Sequence, residues 1–209
     1  MKEDIKSSLL AARKSGPRFL SCFKIGSHNS YFVPHTSYFR HMKIFFIGFM
    51  GSGKTHWGKQ VSEKLGIPFF DLDEQIVSHE EKSITEIFLE NGEEYFRLLE
   101  KDLLHIITES HENFVMACGG GAPCYYNNID YMNKEGTTIW INTPIDTLFQ
   151  RLIHEKKSRP LIKDLTNEQL KGFIIKKFSD RKIYYEQADI ISDEEPVRLE
   201  YILEKIFHA

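Results

Sequence analysis

Lys43-Ile44-Phe45-Phe46-Ile47-Gly48-Phe49-Met50-Gly51-Ser52-Gly53-Lys54-Thr55 is the stretch on which the reading of this chain turns. Residues 43–48 are an apolar run of strand length. Residues 48–55 spell G-x-x-x-x-G-K-[ST], the P-loop, and open an amphipathic stretch near 53–65. Glycines let successive backbone N–H groups curl around phosphate oxygens, and a helix N-terminus adds favourable partial charge. A glycine-rich turn that binds nothing is the plainer use of such residues, but the full motif between a strand and a helix argues against it. Lys54 then reaches the β- and γ-phosphates, the Thr55 hydroxyl is placed to ligate Mg²⁺, and Gly51, Ser52, Gly53 and His56 complete the phosphate contacts.

Met42 directly precedes this stretch, and the residues before it differ in character. Residues 1–41 carry seven Lys/Arg against Glu3 and Asp4, whereas the other 168 residues carry 20 basic and 28 acidic side chains. Acids stand where a secretory leader needs basic residues, and no continuous apolar region follows. The expectation is a disordered extension over 1–41, an upstream start or weak targeting segment with no catalytic part, ahead of one folded domain over 42–209.

At 209 residues the chain suffices for one substantial core. No apolar run approaches the ~20 residues of a membrane-spanning helix, and a net charge of −3 offers no footprint for nucleic acid. Cys22, Cys118 and Cys124 are few, odd in number and not spaced for a metal or a disulfide framework. These features predict a cytoplasmic protein with small-molecule partners and neither a membrane nor a nucleic-acid partner.

Outward from the P-loop, short apolar runs alternate with longer amphipathic stretches. Strands are expected at 43–48, 68–71, 114–118, 137–142 and 189–192, and helices near 53–65, 73–90, 93–110, 144–154, 167–186 and 196–207. Pro144 and Pro196 suit first helical turns. Short apolar strands separated by helices predict an α/β fold: a five-stranded parallel sheet with helices on both faces. The polar, basic stretch 155–166 reads as a mobile lid. A domain of ~170 residues is small for a motor or transporter ATPase, and the guanine-reading Asn-Lys-x-Asp pattern does not occur, which leaves a small-molecule or nucleotide kinase.

Five elements in order then resemble the shikimate kinase family: the P-loop, Asp71-Leu72-Asp73, Phe96-Arg97 with Glu100, Gly119-Gly120-Gly121, and Arg159-Pro160-Leu161 followed by Arg181. The resemblance runs from Met42 to the C-terminus. It implies a three-layer P-loop kinase fold, a monomer, and ATP-dependent phosphorylation of the shikimate 3-hydroxyl in aromatic amino acid biosynthesis, with Mg²⁺ as cofactor. Another small-molecule kinase of the same fold, such as a gluconate-type enzyme, and a silent nucleotide-sensing regulator are the alternative readings.

On the residues themselves, Asp71 and Asp73 are read as ending the second strand on one face. The resemblance gives Asp71 to Mg²⁺, through water, and Asp73 to the acceptor hydroxyl and its proton; the plainer use of Asp73 is a helix cap. Arg97 has Glu93 and Glu100 at i−4 and i+3. It is either half of a surface salt bridge, worth ~1 kcal/mol or less, or an oriented fork for a carboxylate, and the resemblance assigns the shikimate carboxylate to Arg97 and Arg181. Gly119, Gly120 and Gly121 permit close approach of backbone to substrate. Phe88 and Phe96 are read as core, or as walls for the carbocycle. The resemblance implies a lid role for Arg159 on the phosphates and an adenine-side role for Arg151, with Glu195 a further contact. Ala117 and Cys118 depart from the Ser or Thr of many family members, and Cys118 reads as a small buried residue.

Overall fold

Four of the five residues of β1, Lys43–Ile47, are buried, which requires cover on both faces of the sheet. The computed structural model describes residues 41–156, 159, 161–194 and 196–208, with the backbone of Phe23–Lys24 and Tyr31–Phe32. The chain divides into two units, residues 1–40 and 41–209. In the first, Phe23–Lys24 pairs antiparallel with Tyr31–Phe32. The expected disorder of 1–41 otherwise lies outside the described residues.

The second unit is built on five parallel strands: β1, β2 (Phe69–Asp71), β3 (Phe114–Ala117), β4 (Thr137–Ile141) and β5 (Ile190–Ser192), in spatial order β2-β3-β1-β4-β5. Successive side chains of β1 serve opposite faces. Ile44 and Phe46 join Val115, Ile139 and Ile141 in a core closed by Val61 and Ile202, from helices α1 (Lys54–Leu65) and α7 (Leu199–His208). Phe45 faces the other way and meets Phe114 edge to face at 5.4 Å. On that face Trp140 packs against Phe178 and Tyr185 of α6 (Asn167–Tyr185). A third cluster, Phe49, Leu148, Leu152, Ile162, Leu170 and Ile174, ties the loop after β1 to α5 (Ile145–Glu155) and α6.

The strands match expectation to within a residue or two, but the helices differ in instructive ways. The stretch 73–90 is two helices: α2 (Leu72–Glu80), then a break, then α3 (Ile84–Ser110). Ser83 starts α3 with a reciprocal capping box to Glu86. α3 absorbs the helix expected at 93–110 and bends at Gly92, whose φ of 81° and ψ of 175° are not helical. A helix over Asn128–Glu135 (α4) was not expected. Pro144 precedes α5 with an extended ψ of 145° rather than occupying its first turn, and α7 starts three residues after Pro196. Among the described residues no helix is long and apolar enough to cross a membrane.

The lid stretch is partly anchored. Ile162 is fully buried, and Lys156 donates to the Leu165 carbonyl. Pro160 and Glu195 lie outside the described residues.

Candidate active site

Because all five strands run parallel, the loops leaving β1, β2 and β3 converge at one edge of the sheet, where open α/β sheets bind ligands. A cavity of about 500 Å³ opens there. Its walls include Gly51, Gly53, Lys54, Thr55 and His56 from the P-loop and α1, Asp71 and Asp73 beyond β2, Gly119 and Gly120 beyond β3, and Arg151 and Arg159 around the lid.

The P-loop end is shaped by backbone. Gly48, Gly51 and Gly53 all hold positive φ, and Gly53 is the N-cap of α1, with no side chain capping the helix's first N–H groups. Those donors are therefore available to an anion. Lys54 Nζ donates to the carbonyls of Gly48 and Phe49, both at 2.9 Å, folded across the mouth of the loop. Burial lowers its pKa to about 8, against the upward pull of the Asp73 and Asp71 carboxylates. Arg151 Nη1 donates to the Gly51 carbonyl at 3.0 Å, which fixes this guanidinium beside the loop. Ser52 is 1% exposed and is not among the residues that line the cavity.

The carboxylates sit differently from the strand-face reading. Asp71 ends β2, and its Oδ1 accepts from the Asp73 N–H at 3.1 Å, so Asp71 is the cap of α2. Asp73 is not on the strand; it occupies the first turn of α2. The other Asp71 oxygen, Oδ2, accepts from Thr55 Oγ1 at 2.7 Å, joining β2 to the P-loop helix. Burial, and the Asp71 carboxylate nearby, push the Asp73 pKa up.

Arg97, Arg181 and Gly121 do not line the main cavity. They form an adjoining cluster around the glycines. Arg97 Nη1 donates to Glu100 Oε2 at 2.7 Å, with the two side chains 9% and 1% exposed. The pair is therefore buried rather than a surface bridge, so removing either partner strands a charge in low dielectric. Glu93 holds the other side of the guanidinium at 3.3 Å, and the Tyr125 ring lies 4.6 Å from it. A Cβ on Gly121 would come within 2.7 Å of both Arg97 Nη atoms. A Cβ on Gly119 would lie 2.5 Å from Glu100 Oε1 and 2.9 Å from Asp73 Oδ1. Gly119 therefore marks where the arginine cluster meets the main cavity. Arg181 approaches Gly120, whose carbonyl accepts from the Tyr185 hydroxyl at 2.6 Å.

Glu100 is the member of this cluster whose weight the sequence did not convey. Its pKa is pushed up to about 7, because burial outweighs the opposing pull of Arg97. Phe88 and Phe96 stack on one another at 4.6 Å. Cys118 is buried against the Met132 sulfur and its thiol pKa is driven up by burial, as suits a packing residue. Arg159 pairs with Glu155 through Nε at 2.8 Å.

The parallel order, the P-loop and the cavity above it place the chain among the P-loop kinases. Comparison with known proteins narrows this class. A model of the shikimate kinase family matches residues 50–209. The shikimate kinase of Azobacteroides pseudotrichonymphae genomovar. CFP2 is 44% identical over 149 residues, 71% of this chain and 88% of that one. The crystal structure of shikimate kinase from Bacteroides thetaiotaomicron gives a TM-score of 0.74 at 38% identity, covering 80% of this chain and 99% of that one. That of Acinetobacter baumannii, in complex with shikimate, gives 0.70 at 30% identity, covering 82% and 94%. The chain belongs to the shikimate kinase family.

Proposed function

We propose that residues 42–209 transfer the γ-phosphoryl group of ATP directly to the 3-hydroxyl of shikimate, giving 3-phosphoshikimate and ADP. One observation carries this reading: a single cavity joins the uncapped P-loop amides and Lys54 at one end to Asp73 and Gly119 at the other. The buried Arg97 fork stands directly behind Gly121. Phosphoryl transfer needs mainly positioning and charge neutralisation, and this arrangement is built for both.

In this reading the P-loop amides hold the phosphates, and Lys54 shifts from the Gly48 and Phe49 carbonyls to the transferred group. Asp73 accepts a hydrogen bond from the acceptor hydroxyl. As that oxygen bonds to the γ-phosphorus and the bridge to the β-phosphate breaks, Asp73 takes the hydroxyl proton. Its raised affinity for protons suits this step. Arg97, held by Glu93 and Glu100, and Arg181 grip the substrate carboxylate; Gly119, Gly120 and Gly121 let the ring approach the backbone. Arg159 neutralises phosphate charge from the lid, and closure excludes water that would otherwise hydrolyse ATP. Thr55 Oγ1 and Asp71 Oδ2, 2.7 Å apart beside the phosphate end, are hard oxygen donors that fit Mg²⁺, Asp71 through water. Bound there, the ion supplies charge neutralisation on the phosphate oxygens. We further infer a cytoplasmic monomer.

An ADP-release assay with shikimate, gluconate and AMP in parallel tests the assignment. Turnover is expected with shikimate alone and is nearly lost in Asp73→Asn. Wild-type turnover in that variant would remove Asp73 from the reaction, and turnover with gluconate alone would overturn the substrate.

A further inference from the structure

Trp57 has no part in the roles above, yet it lines the same cavity. On an amphipathic helix a large aromatic three residues after Lys54 reads as core, and much of Trp57 does pack there, in the cluster with Ile44 and Val61. Its indole edge does something else. A Cβ on Gly53 would lie 3.4 Å from Trp57 Cδ1 and 3.5 Å from its Nε1, with Arg151 Nη1 3.9 Å from the same point. The indole and the guanidinium thus flank the last glycine of the P-loop. The His56 ring meets the indole edge to face at 4.9 Å.

The direction of the cavity decides what this corner holds. Asp73 and Gly119 occupy the acceptor side, so a triphosphate lying on the loop must turn its γ end toward them. Its nucleoside then extends the opposite way, toward Gly53, Trp57 and Arg151. A half-buried indole offers that nucleoside a flat apolar surface, and Nε1 adds a hydrogen-bond donor. We infer that Trp57 is a specificity-determining residue of the donor site, forming with Arg151 the wall that takes the purine nucleoside. The inference rests on the reading of the P-loop as the ATP site and adds to it the chemistry of the nucleoside end.

The test separates the base from the phosphates. The chain holds two tryptophans, and the other, Trp140, is 2% exposed in the sheet. Titration with ADP and magnesium chloride is expected to change the emission of Trp57, a signal lost in Trp57→Phe. By calorimetry, Trp57→Ala should weaken ADP binding about tenfold, in line with aromatic stacking on a base, and Trp57→Phe, which retains a ring and the core packing, should weaken it less. Tripolyphosphate, which has no base, should bind all three proteins alike. Undiminished ADP affinity in Trp57→Ala overturns the inference. So does equal weakening of ADP and tripolyphosphate, which marks a distorted loop instead. Wild-type protein that binds neither ligand would instead overturn the donor-site reading itself.

Discussion

The two ends of the cavity are made in opposite ways. The donor end centres on eight consecutive residues, 48–55, whose backbone amides face the phosphate site, with Lys54 the one cationic side chain among those eight. The acceptor end is assembled from side chains far apart in the chain: Asp73, Arg97, Glu100 and Arg181 around Gly119–Gly121. Backbone amides need no charge partner in the fold, whereas Arg97 and Glu100 are buried charges that must neutralise one another. The donor end should therefore lose function without losing stability, and the acceptor end should lose both together.

Lys54→Ala gives the sharpest form of that contrast. Phosphate charge goes unneutralised, and turnover is expected to drop by roughly 10³-fold, while the melting temperature holds or rises, since the substitution removes a desolvated cation. Steady-state rates and thermal unfolding on one preparation check both halves. The wild-type pH profile adds a second handle. With its pKa lowered to about 8 in the free enzyme, Lys54 loses its charge as pH rises through that value. The kcat/KM for ATP should then fall above pH 8, approaching tenfold per pH unit. A flat profile to pH 9.5 would show that the free lysine keeps its charge there.

Arg97→Ala should break the other end. It removes the partner of a fully buried Glu100, a change that costs about 3–5 kcal/mol when the remaining charge stays ionised. Glu100 has an escape, however. Its pKa already sits at about 7 with Arg97 holding it down, and without Arg97 it rises further, so the carboxyl can take a proton. The sign follows from linkage. A carboxyl with a raised folded pKa binds more protons folded than unfolded, so stability falls as pH climbs from about 4.5 through the folded value. The variant's deficit should be small near pH 5 and largest above pH 7, which denaturant titrations at both values would reveal. The KM for shikimate should rise, while ADP affinity stays unchanged.

The same contrast explains what the sequence made legible. The P-loop could be read residue by residue because its signal is written in three closely spaced glycines and one lysine within eight consecutive residues. The parallel sheet was legible too, since runs such as Phe114–Ala117 are buried on both faces and so continuously apolar. Arg97 and Glu100 were visible as a pair at helical spacing, but nothing in their spacing tells a buried pair from an exposed one. Asp73 reads as a strand residue in sequence because the strand's end depends on the Asp71 side chain turning back to cap α2. The break before α3 had a signal that the apolar period masked: Ser83 and Glu86 are a capping box in plain sequence. α4 had none, since Asn127 adopts a left-handed conformation and its side chain caps nothing. Trp57 fitted the core-facing period of α1, and only the fold shows its edge against Gly53.

Gly92 offers the smallest and most specific break. Its φ of 81° with ψ of 175° lies where essentially only glycine goes, and it bends α3 just before Glu93, Arg97 and Glu100. A Cβ there would meet nothing within 4 Å, so crowding contributes no cost to Gly92→Ala. What remains is backbone strain of about 1–3 kcal/mol, which the protein can relieve by straightening the helix. Straightening would carry Glu93 off the Arg97 guanidinium, so the KM for shikimate should rise a few-fold while ADP affinity at the distant P-loop stays put. A loss of roughly 2–10 °C in melting temperature should accompany it. Were Gly92→Ala to melt with the wild type and bind shikimate equally well, the kink would be incidental, and the acceptor end would owe its geometry to the Arg97–Glu100 pair alone.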